Sequence, residues 1–301
     1  MPEWVIEQGI GETRAALVDG DEVVEARVRR EGVIAAGAVL DARLVAVAPR
    51  VTVEAGGEQF LLPRGVAGVT EGARLAIEVT REALGGSERW KRGLARRTDA
   101  APATAPPLAE GAAGTIQAWD DLLEEARTGI VQFEGGELRI QPTAAMTVID
   151  VDGWLIPAKL AQTAAWAAAR AIARLDIGGS IGIDFPTLHG KEERREVDEI
   201  LDAYLPRPFE KTAINGFGFV QIVRPRRRPS LLELAEDRAP FEARALVRRA
   251  GRSIGPATVT AHPAVIAAIG EEWPERLERQ IGGRVTLSAD PSLAMSGGHV
   301  H

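Results

Sequence analysis

The sequence predicts an α/β (α+β) fold made of several small domains. The chain has 301 residues, which is enough for two or three separate hydrophobic cores. Residues 3–84 consist mostly of short alternating segments typical of β-strands, whereas residues 144–230 alternate between strand and helix patterns. The chain is 45% apolar and 26% charged, and these values exclude a mainly disordered or fibrous protein.

The first third of the chain is expected to be rich in β-strands. Residues 1–32 contain two alternating runs around Asp19-Gly20, a dipeptide that favours a hairpin turn. Residues 33–84 hold short Val, Leu and Ile runs separated by Gly and Pro, and this spacing suggests a small barrel such as an OB-fold. Residues 85–114, rich in Ala, Pro and Gly, predict a flexible linker. The basic run at 88–97 is interpreted as solvated surface charge, with a local nucleic-acid contact as the alternative.

The second half introduces helical patterns. Residues 115–143 show apolar side chains at helical spacing, followed by a hairpin that turns at Gly135-Gly136. Residues 144–230 follow a β-α-β-α-β order, which predicts a sheet layered with helices. The predicted elements of this unit are a strand at 146–151, a helix at 158–175, a strand at 180–185, a helix at 191–205 and a strand at 214–223. Residues 231–301 predict a small C-terminal α/β domain.

Two strands of this β-α-β unit end in aspartate. Asp150 and Asp152 lie two residues apart, so they share one face of a strand, and Asp184 ends the next apolar strand. Two carboxylates at one sheet edge repel each other unless a hard cation lies between them. Mg²⁺ suits such a site because it binds one or two carboxylates and keeps several waters. The alternative is that one aspartate caps a helix or begins a turn.

Basic side chains are concentrated in two places of the second half. One stripe of the predicted helix 158–175 combines basic residues with a tryptophan, and it could follow a nucleic-acid backbone and stack a base. The same stripe could instead be a solvated helix edge. Its members are Lys159, Trp166, Arg170 and Arg174. The second group follows the last strand and comprises Arg224, Arg226, Arg227 and Arg228.

Composition excludes several classes of function. The chain has no cysteine, which excludes disulfides, thiolate zinc sites and cysteine chemistry. No G-x-S-x-G motif occurs, so acyl transfer has no support. The net charge of −7 argues against binding nucleic acid by bulk charge but leaves local basic sites open. The start lacks a secretory pattern and no long apolar run occurs, so a cytoplasmic protein without membrane contact is expected.

Four segments together resemble the RNase E/G family of Mg²⁺-dependent endoribonucleases. They are EQGIGETRAALVDGDEVVEARV, GIVQFEGGELRIQPTAAMTVIDVDG, ARLDIGGSIGIDF and GFGFVQIVRPRRRPSL, in that order along the chain. Together they cover most of residues 3–30 and nearly all of residues 116–231. The ordered set is specific, whereas any one segment alone would be a weak signal.

The resemblance implies a particular arrangement of domains. Residues 144–230 would form a catalytic unit similar to DNase I. Residues 1–32 and 115–143 would form an RNase H-like fold that is split around the OB-like barrel. The family segment that senses a 5′-monophosphate is missing, and its C-P-x-C zinc link is absent. A zinc-linked dimer is therefore excluded, and a homodimer through residues 231–301 stays open.

The resemblance also implies a chemistry. Asp150 and Asp184 match the family's metal-binding aspartates, which hold Mg²⁺, with Mn²⁺ as a possible substitute. Asp152 occupies a catalytic position where the family usually has Asn, and Gly216 stands where it has Arg. The implied reaction is hydrolysis of single-stranded RNA in RNA processing or decay, which leaves 5′-phosphate and 3′-hydroxyl ends. The candidate RNA contacts are Lys159, Arg170, Arg224, Arg226, Arg227 and Arg228.

Two other functions compete with this interpretation. The chain could be a non-catalytic RNA-binding relative of the same family, as Asp152 and Gly216 suggest. It could also be a Mg²⁺-dependent phosphatase of small phosphoesters, which would act on mononucleotides without regard to RNA length. A metal ion between Asp150 and Asp184 would favour the ribonuclease, and salt-sensitive RNA binding that is indifferent to metal would favour the binding protein.

Overall fold

The structure is a computed structural model that describes residues 1–85 and 90–301. The strands are β1 (Glu3–Gln8), β2 (Glu12–Asp19), β3 (Glu22–Arg30), β4 (Val39–Ala46), β5 (Thr52–Ala55), β6 (Glu58–Leu61), β7 (Arg74–Arg81), β8 (Gly93–Arg97), β9 (Ala112–Ala113), β10 (Ile130–Phe133), β11 (Gly136–Pro142), β12 (Thr147–Gly153), β13 (Gly179–Asp184), β14 (Glu210–Lys211), β15 (Phe219–Arg224), β16 (Ala257–Ala261), β17 (Val285–Ala289) and β18 (His299–Val300). The helices are α1 (Trp119–Thr128), α2 (Pro157–Arg174), α3 (Lys191–Tyr204), α4 (Leu231–Glu236), α5 (Arg238–Ala250), α6 (Pro263–Ala267) and α7 (Trp273–Ile281).

These elements form three open sheets and one closed five-stranded barrel over the described ranges. The mixed α/β class that the sequence predicts is therefore confirmed. Among the helices of the described residues, none combines the length and the apolar character that a membrane crossing requires.

The first sheet has the strand order β3-β2-β1-β9. β1, β2 and β3 form an antiparallel meander, and Gly20 makes the turn between β2 and β3 with a φ of 61°. The two-residue strand β9 joins β1 in parallel. Ala16 of β2 and Trp119 of α1 belong to the same buried core as α2. The first sheet and the helical layer of the second half therefore share one hydrophobic core.

The barrel closes in the order β4-β5-β6-β8-β7. Its fifth strand, β8, lies inside the segment for which the sequence predicts a flexible linker, and that prediction is wrong for residues 93–97. Gly93 and Ala95 are buried at alternate positions of β8, which pairs with β6 and β7. The alternation is short and is flanked by basic residues, so the sequence alone does not indicate a strand here. Residues 86–89, also within the predicted linker, lie outside the described residues.

The largest sheet has the order β10-β11-β12-β13-β15-β14. β12 and β13 are parallel and are connected by α2, whereas the other neighbouring strands are antiparallel. The hairpin β10-β11 is continuous with β12, so the domain boundary predicted after residue 143 falls inside one sheet. The β-α-β-α-β order predicted for this unit is present, with the last long strand shortened to β15.

Helix α2 packs against one face of this sheet. Thr147, Ile149 and Val151 of β12 are buried, whereas Asp150 and Asp152, which alternate with them, are exposed. Most of the buried residues of α2 are alanines, whose small side chains let the helix approach its neighbours closely. The apolar alternation therefore fixes which face of the sheet presents carboxylates.

The C-terminal unit is joined to the first sheet by a buried ion-pair network. Its sheet has the order β17-β16-β18, and α5 leads into it. Arg248 of α5 donates to the carboxylate of Glu7 at 2.6 and 3.1 Å and to the carbonyl of Ile116 at 2.5 Å. Arg14 donates to the same Glu7 carboxylate at 2.9 Å. These bonds satisfy charges that would be costly to bury alone.

Candidate functional site

Asp150 and Asp184 lie side by side on the exposed face of the largest sheet. They are direct register partners of the parallel strands β12 and β13, whose backbones are about 4.8 Å apart in such a pairing. Both side chains are exposed, and neither carboxylate takes part in a hydrogen bond or ion pair with another described residue. Two unpaired negative charges therefore stand next to each other on a rigid sheet.

Asp152 lies on the same face as Asp150, two residues further along β12. One of its carboxylate oxygens accepts a hydrogen bond from the backbone N–H of Gly153 at 2.8 Å. Within residues 1–85 and 90–301, no three His, Cys, Asp or Glu side chains are grouped closely enough to hold a metal ion by themselves. The carboxylates of Asp150 and Asp184 are thus a two-ligand set, which fits a hard cation that keeps waters better than a fully enclosed site.

Arg139 is a cation on the strand next to this pair. It lies opposite Asp150 in the neighbouring strand β11, and its guanidinium donates to Glu137 at 2.8 Å. The hydrogen bond to Glu137, with the charges of Glu137, Asp152 and Asp150, raises the pKa of Arg139 above its usual value. The sequence analysis missed Arg139, although the two-residue alternation of β11 assigns it to the face of Asp150.

A glycine leaves room for apolar side chains beside the carboxylates. Gly182 lies two residues before Asp184, and a Cβ atom there would come within 2.6 Å of Phe219 and 2.9 Å of Met146. Phe219 is itself the register partner of Asp184. The exposed face therefore carries an aromatic ring directly alongside the aspartate pair.

Two further aromatic side chains flank the carboxyl ends of β12 and β13. Trp154 follows Asp152 by two residues and is 78% exposed, and Phe217 is 83% exposed. The turn of Phe217 is fixed by the Asn215 side chain, which accepts the backbone N–H groups of Phe217 and Phe219 at 2.9 and 3.1 Å. Gly218 has a φ of 93° and lies where a Cβ would approach the Phe185 carbonyl to 2.3 Å. Both rings are therefore held out toward solvent near the aspartates.

The basic residues expected to bind RNA are divided between two places. Lys159 is exposed in the first turn of α2, which begins shortly after β12, so it lies at the carboxylate edge. Arg170 instead forms an ion pair with Glu22 of the first sheet, and its guanidinium lies 4.7 Å from the ring centre of Trp166. The structure therefore brings Lys159, but not Arg170, to the edge that carries the aspartates.

The arginines at the end of β15 and just after it lie at the opposite end of the sheet. Arg224 is the register partner of Gly179, the first residue of β13, and it donates to the carbonyls of Ile177 and Pro206 at 2.6 and 3.1 Å. Arg226 pairs with Glu233, and Arg228 pairs with Asp176. Arg227 is exposed. These residues are not brought to the aspartates.

The segment that carries the aspartates matches a known family. The sequence profile of the Ribonuclease E/G family matches residues 117–227, which include β10 to β15. Over these residues the chain is similar to the Ribonuclease E/G family. Asp150, Asp152 and Asp184 all lie within the matched residues.

Individual relatives match the chain over a similar length. Ribonuclease G of Salmonella typhimurium (strain SL1344) is 35% identical over a match 109 residues long, which covers 32% of this chain and 22% of that protein. Ribonuclease G of Escherichia coli (strain K12) and that of Shigella flexneri are each 34% identical over 109 residues, with the same coverage. The chain thus spans about a fifth of the length of the curated relatives that it matches.

Proposed function

We propose that this protein is a Mg²⁺-dependent endoribonuclease of the ribonuclease E/G family that hydrolyses single-stranded RNA in RNA processing or decay. The products would carry 5′-phosphate and 3′-hydroxyl ends. The observation that carries the proposal is the pair Asp150 and Asp184, which stand in register, exposed and unpaired, inside the segment that matches the family.

Asp150 and Asp184 would hold Mg²⁺, with Mn²⁺ as a possible substitute. The chemistry that such an ion supplies when bound is a water of lowered pKa and neutralisation of charge on the scissile phosphate. Asp152 would accept a hydrogen bond from a water or a ribose hydroxyl on the same face. Arg139 and Lys159 would bind phosphates of the RNA backbone on either side of the aspartates.

The exposed aromatic side chains favour single-stranded RNA over a small phosphoester. Trp154 and Phe217 offer π-faces on which unpaired bases can stack, and stacking of this kind tolerates any base. A mononucleotide offers a single base, whereas a strand offers bases to both rings at once.

The competing proposal is a non-catalytic RNA-binding relative. Two features favour it: Asp152 stands where the family usually has Asn, and Gly216 stands where the family has Arg. The two proposals differ in one measurable respect, which is whether RNA is cut when Mg²⁺ is present.

The deciding experiment compares the wild type with Asp184→Asn on a fluorogenic single-stranded RNA rich in A and U. We expect Mg²⁺-dependent cleavage by the wild type and its loss in Asp184→Asn, with folding retained because the substitution removes a like-charge contact. Glu271→Gln, which neutralises an exposed carboxylate of the C-terminal unit, is the matched control and should cleave normally.

Other outcomes would decide against the endoribonuclease. Equal cleavage by the wild type and Asp184→Asn would indicate a contaminant or a different site. RNA binding without cleavage in both proteins would support the non-catalytic relative. Hydrolysis of mononucleotides at the same rate as RNA would support the phosphatase.

The fold assignments implied by the family resemblance belong to the same proposal. The largest sheet with α2 and α3 would be the DNase I-like unit, and the first sheet with α1 would be the RNase H-like fold. The closed barrel would be a shortened OB-fold that holds part of the RNA strand.

A further inference from the structure

A cavity of about 350 Å³ lies between the first sheet and the end of the largest sheet that is remote from the aspartates. Six arginines line it, together with the carboxylates of Glu25 and Asp176, which leaves an excess of four positive charges. The arginines are Arg27, Arg29, Arg207, Arg224, Arg227 and Arg228. They come from β3, from the segment after α3, and from the end of β15 with the segment that follows it, so this cluster of arginines forms only in the folded chain.

Some of these arginines form ion pairs or hydrogen bonds within the protein. Arg27 pairs with Glu25 at 2.5 Å, and Arg228 pairs with Asp176 at 3.0 Å. Arg29 donates to the carbonyl of Pro106 at 2.7 Å. These contacts fix the guanidinium groups in place, which lowers the entropy cost of binding an anion between them.

Other donor atoms and positive charges in the cavity remain available to bind an anion. The Nε atoms of Arg29 and Arg228 are buried without a hydrogen-bond partner among the described residues. Burial and the nearby charge of Arg228 lower the pKa of Arg29, as expected for two guanidinium groups that stand close together. Arg207 and Arg227 are exposed and form no ion pair with a described carboxylate. Unsatisfied donors and uncompensated charge in one concave site are the conditions under which arginine binds phosphate oxygens.

We infer that this cavity binds phosphate groups of the RNA strand at a distance from the cleavage site. The inference rests on the proposed function for the identity of the strand. Arg224 faces Gly179, five residues before Asp184 on β13, so the cavity lies roughly 16 Å from the aspartates along the strand. A strand that reaches both ends of the sheet would be held by its backbone at the cavity and cut at the aspartates.

The test removes the two cavity arginines that the fold uses least. Arg207→Gln/Arg227→Gln takes away two exposed charges, and Arg279→Gln/Arg284→Gln in the C-terminal unit removes the same net charge elsewhere. Binding of a long fluorescent single-stranded RNA is measured over a range of salt concentrations in EDTA, so the result does not depend on whether the chain cleaves RNA. Titration with inorganic pyrophosphate tests whether the cavity binds a small free phosphate compound instead.

We expect the cavity variant to bind RNA about five- to tenfold more weakly, with a salt slope smaller by about 1.4, the value for two lost phosphate contacts to a single strand. The control variant should retain the affinity and slope of the wild type. Equal losses in both variants would reduce the effect to bulk charge and overturn the assignment. Unchanged RNA binding would also overturn it, and saturable pyrophosphate binding lost only in the cavity variant would then assign the cavity to a small free phosphate.

Discussion

Replacing Trp154 tests whether the exposed aromatic rings bind bases of the substrate. A base that lies on one face of the indole would cover roughly 80 Å² of its apolar surface. At about 25 cal/mol per Å² this gives about 2 kcal/mol, which lies within the range of about 1–3 kcal/mol measured for stacking on aromatic side chains. Trp154→Ala should therefore lower kcat/KM for RNA roughly 30-fold. Trp154 is 78% exposed, so the substitution removes little packing from the folded chain.

The assay measures kcat/KM with a single-stranded RNA and with a small phosphodiester that lacks a base on the side of Trp154. We expect the loss only with RNA, and Trp154→Phe should recover most of it because the π-face is kept. Ile254→Ala, which truncates an apolar side chain that is 98% exposed in the C-terminal unit, should act like the wild type. An equal loss with both substrates would mean that Trp154 supports the aspartates instead, and no loss with either would refute the stacking argument.

Two further predictions concern other parts of the chain. A Cβ atom at Gly216 would have no heavy atom within 4 Å, so Gly216→Arg should fold normally. The added cation near the aspartates should make the variant bind RNA about fivefold more tightly in a fluorescence anisotropy titration. Unchanged or weaker binding would contradict this prediction. Burial alone would raise the pKa of Glu7, but the hydrogen bond from Arg248 and the other contacts of the carboxylate hold it below its usual value. The stability gained from Glu7 is therefore present above the pKa of an unfolded glutamate and is lost as the pH falls through the lower folded pKa. Denaturant unfolding should show Glu7→Gln to be about 1.5–3 kcal/mol less stable than the wild type at neutral pH, because Arg248 and Arg14 each lose one charged partner and keep Asp120 and Glu12. The difference should shrink at acid pH, and a constant difference would contradict the assignment.

The sequence predicts the elements that carry the aspartates well because their signals are local. β12, α2 and β13 have clear apolar periodicity, and Pro157 stands in the first turn of α2, as expected for a helix start. The prediction that Asp150 and Asp184 meet at one sheet edge depends only on the β-α-β connection, which makes the two strands parallel. The structure adds their direct register, which local patterns do not contain.

The sequence analysis fails where long-range contacts decide the structure. β8 is a short strand with basic neighbours, and only its partners in the barrel make it a strand. The arginines at 224–228 belong to a family motif. They lie at the C-terminal end of β15, which is the end of the sheet remote from the aspartates. Arg27 and Arg29 of β3, which line the same cavity, are about two hundred residues away in the chain. The pattern of charges along the sequence therefore does not predict the cationic cavity.

The cost of the aspartate pair bears on the choice between enzyme and binding protein. Two largely buried glutamates elsewhere in the chain are each paired with an arginine, Glu7 with Arg248 and Glu242 with Arg127. Asp150 and Asp184 are instead left beside each other without a partner, although neighbouring like charges on adjacent strands destabilise a sheet. In a protein that only binds RNA, these two charges would also repel the phosphates of its ligand. A cation bound between the two carboxylates removes both their mutual repulsion and their repulsion of the RNA phosphates. The same close pair of negative charges attracts a metal ion, and we therefore favour the ribonuclease over the binding protein.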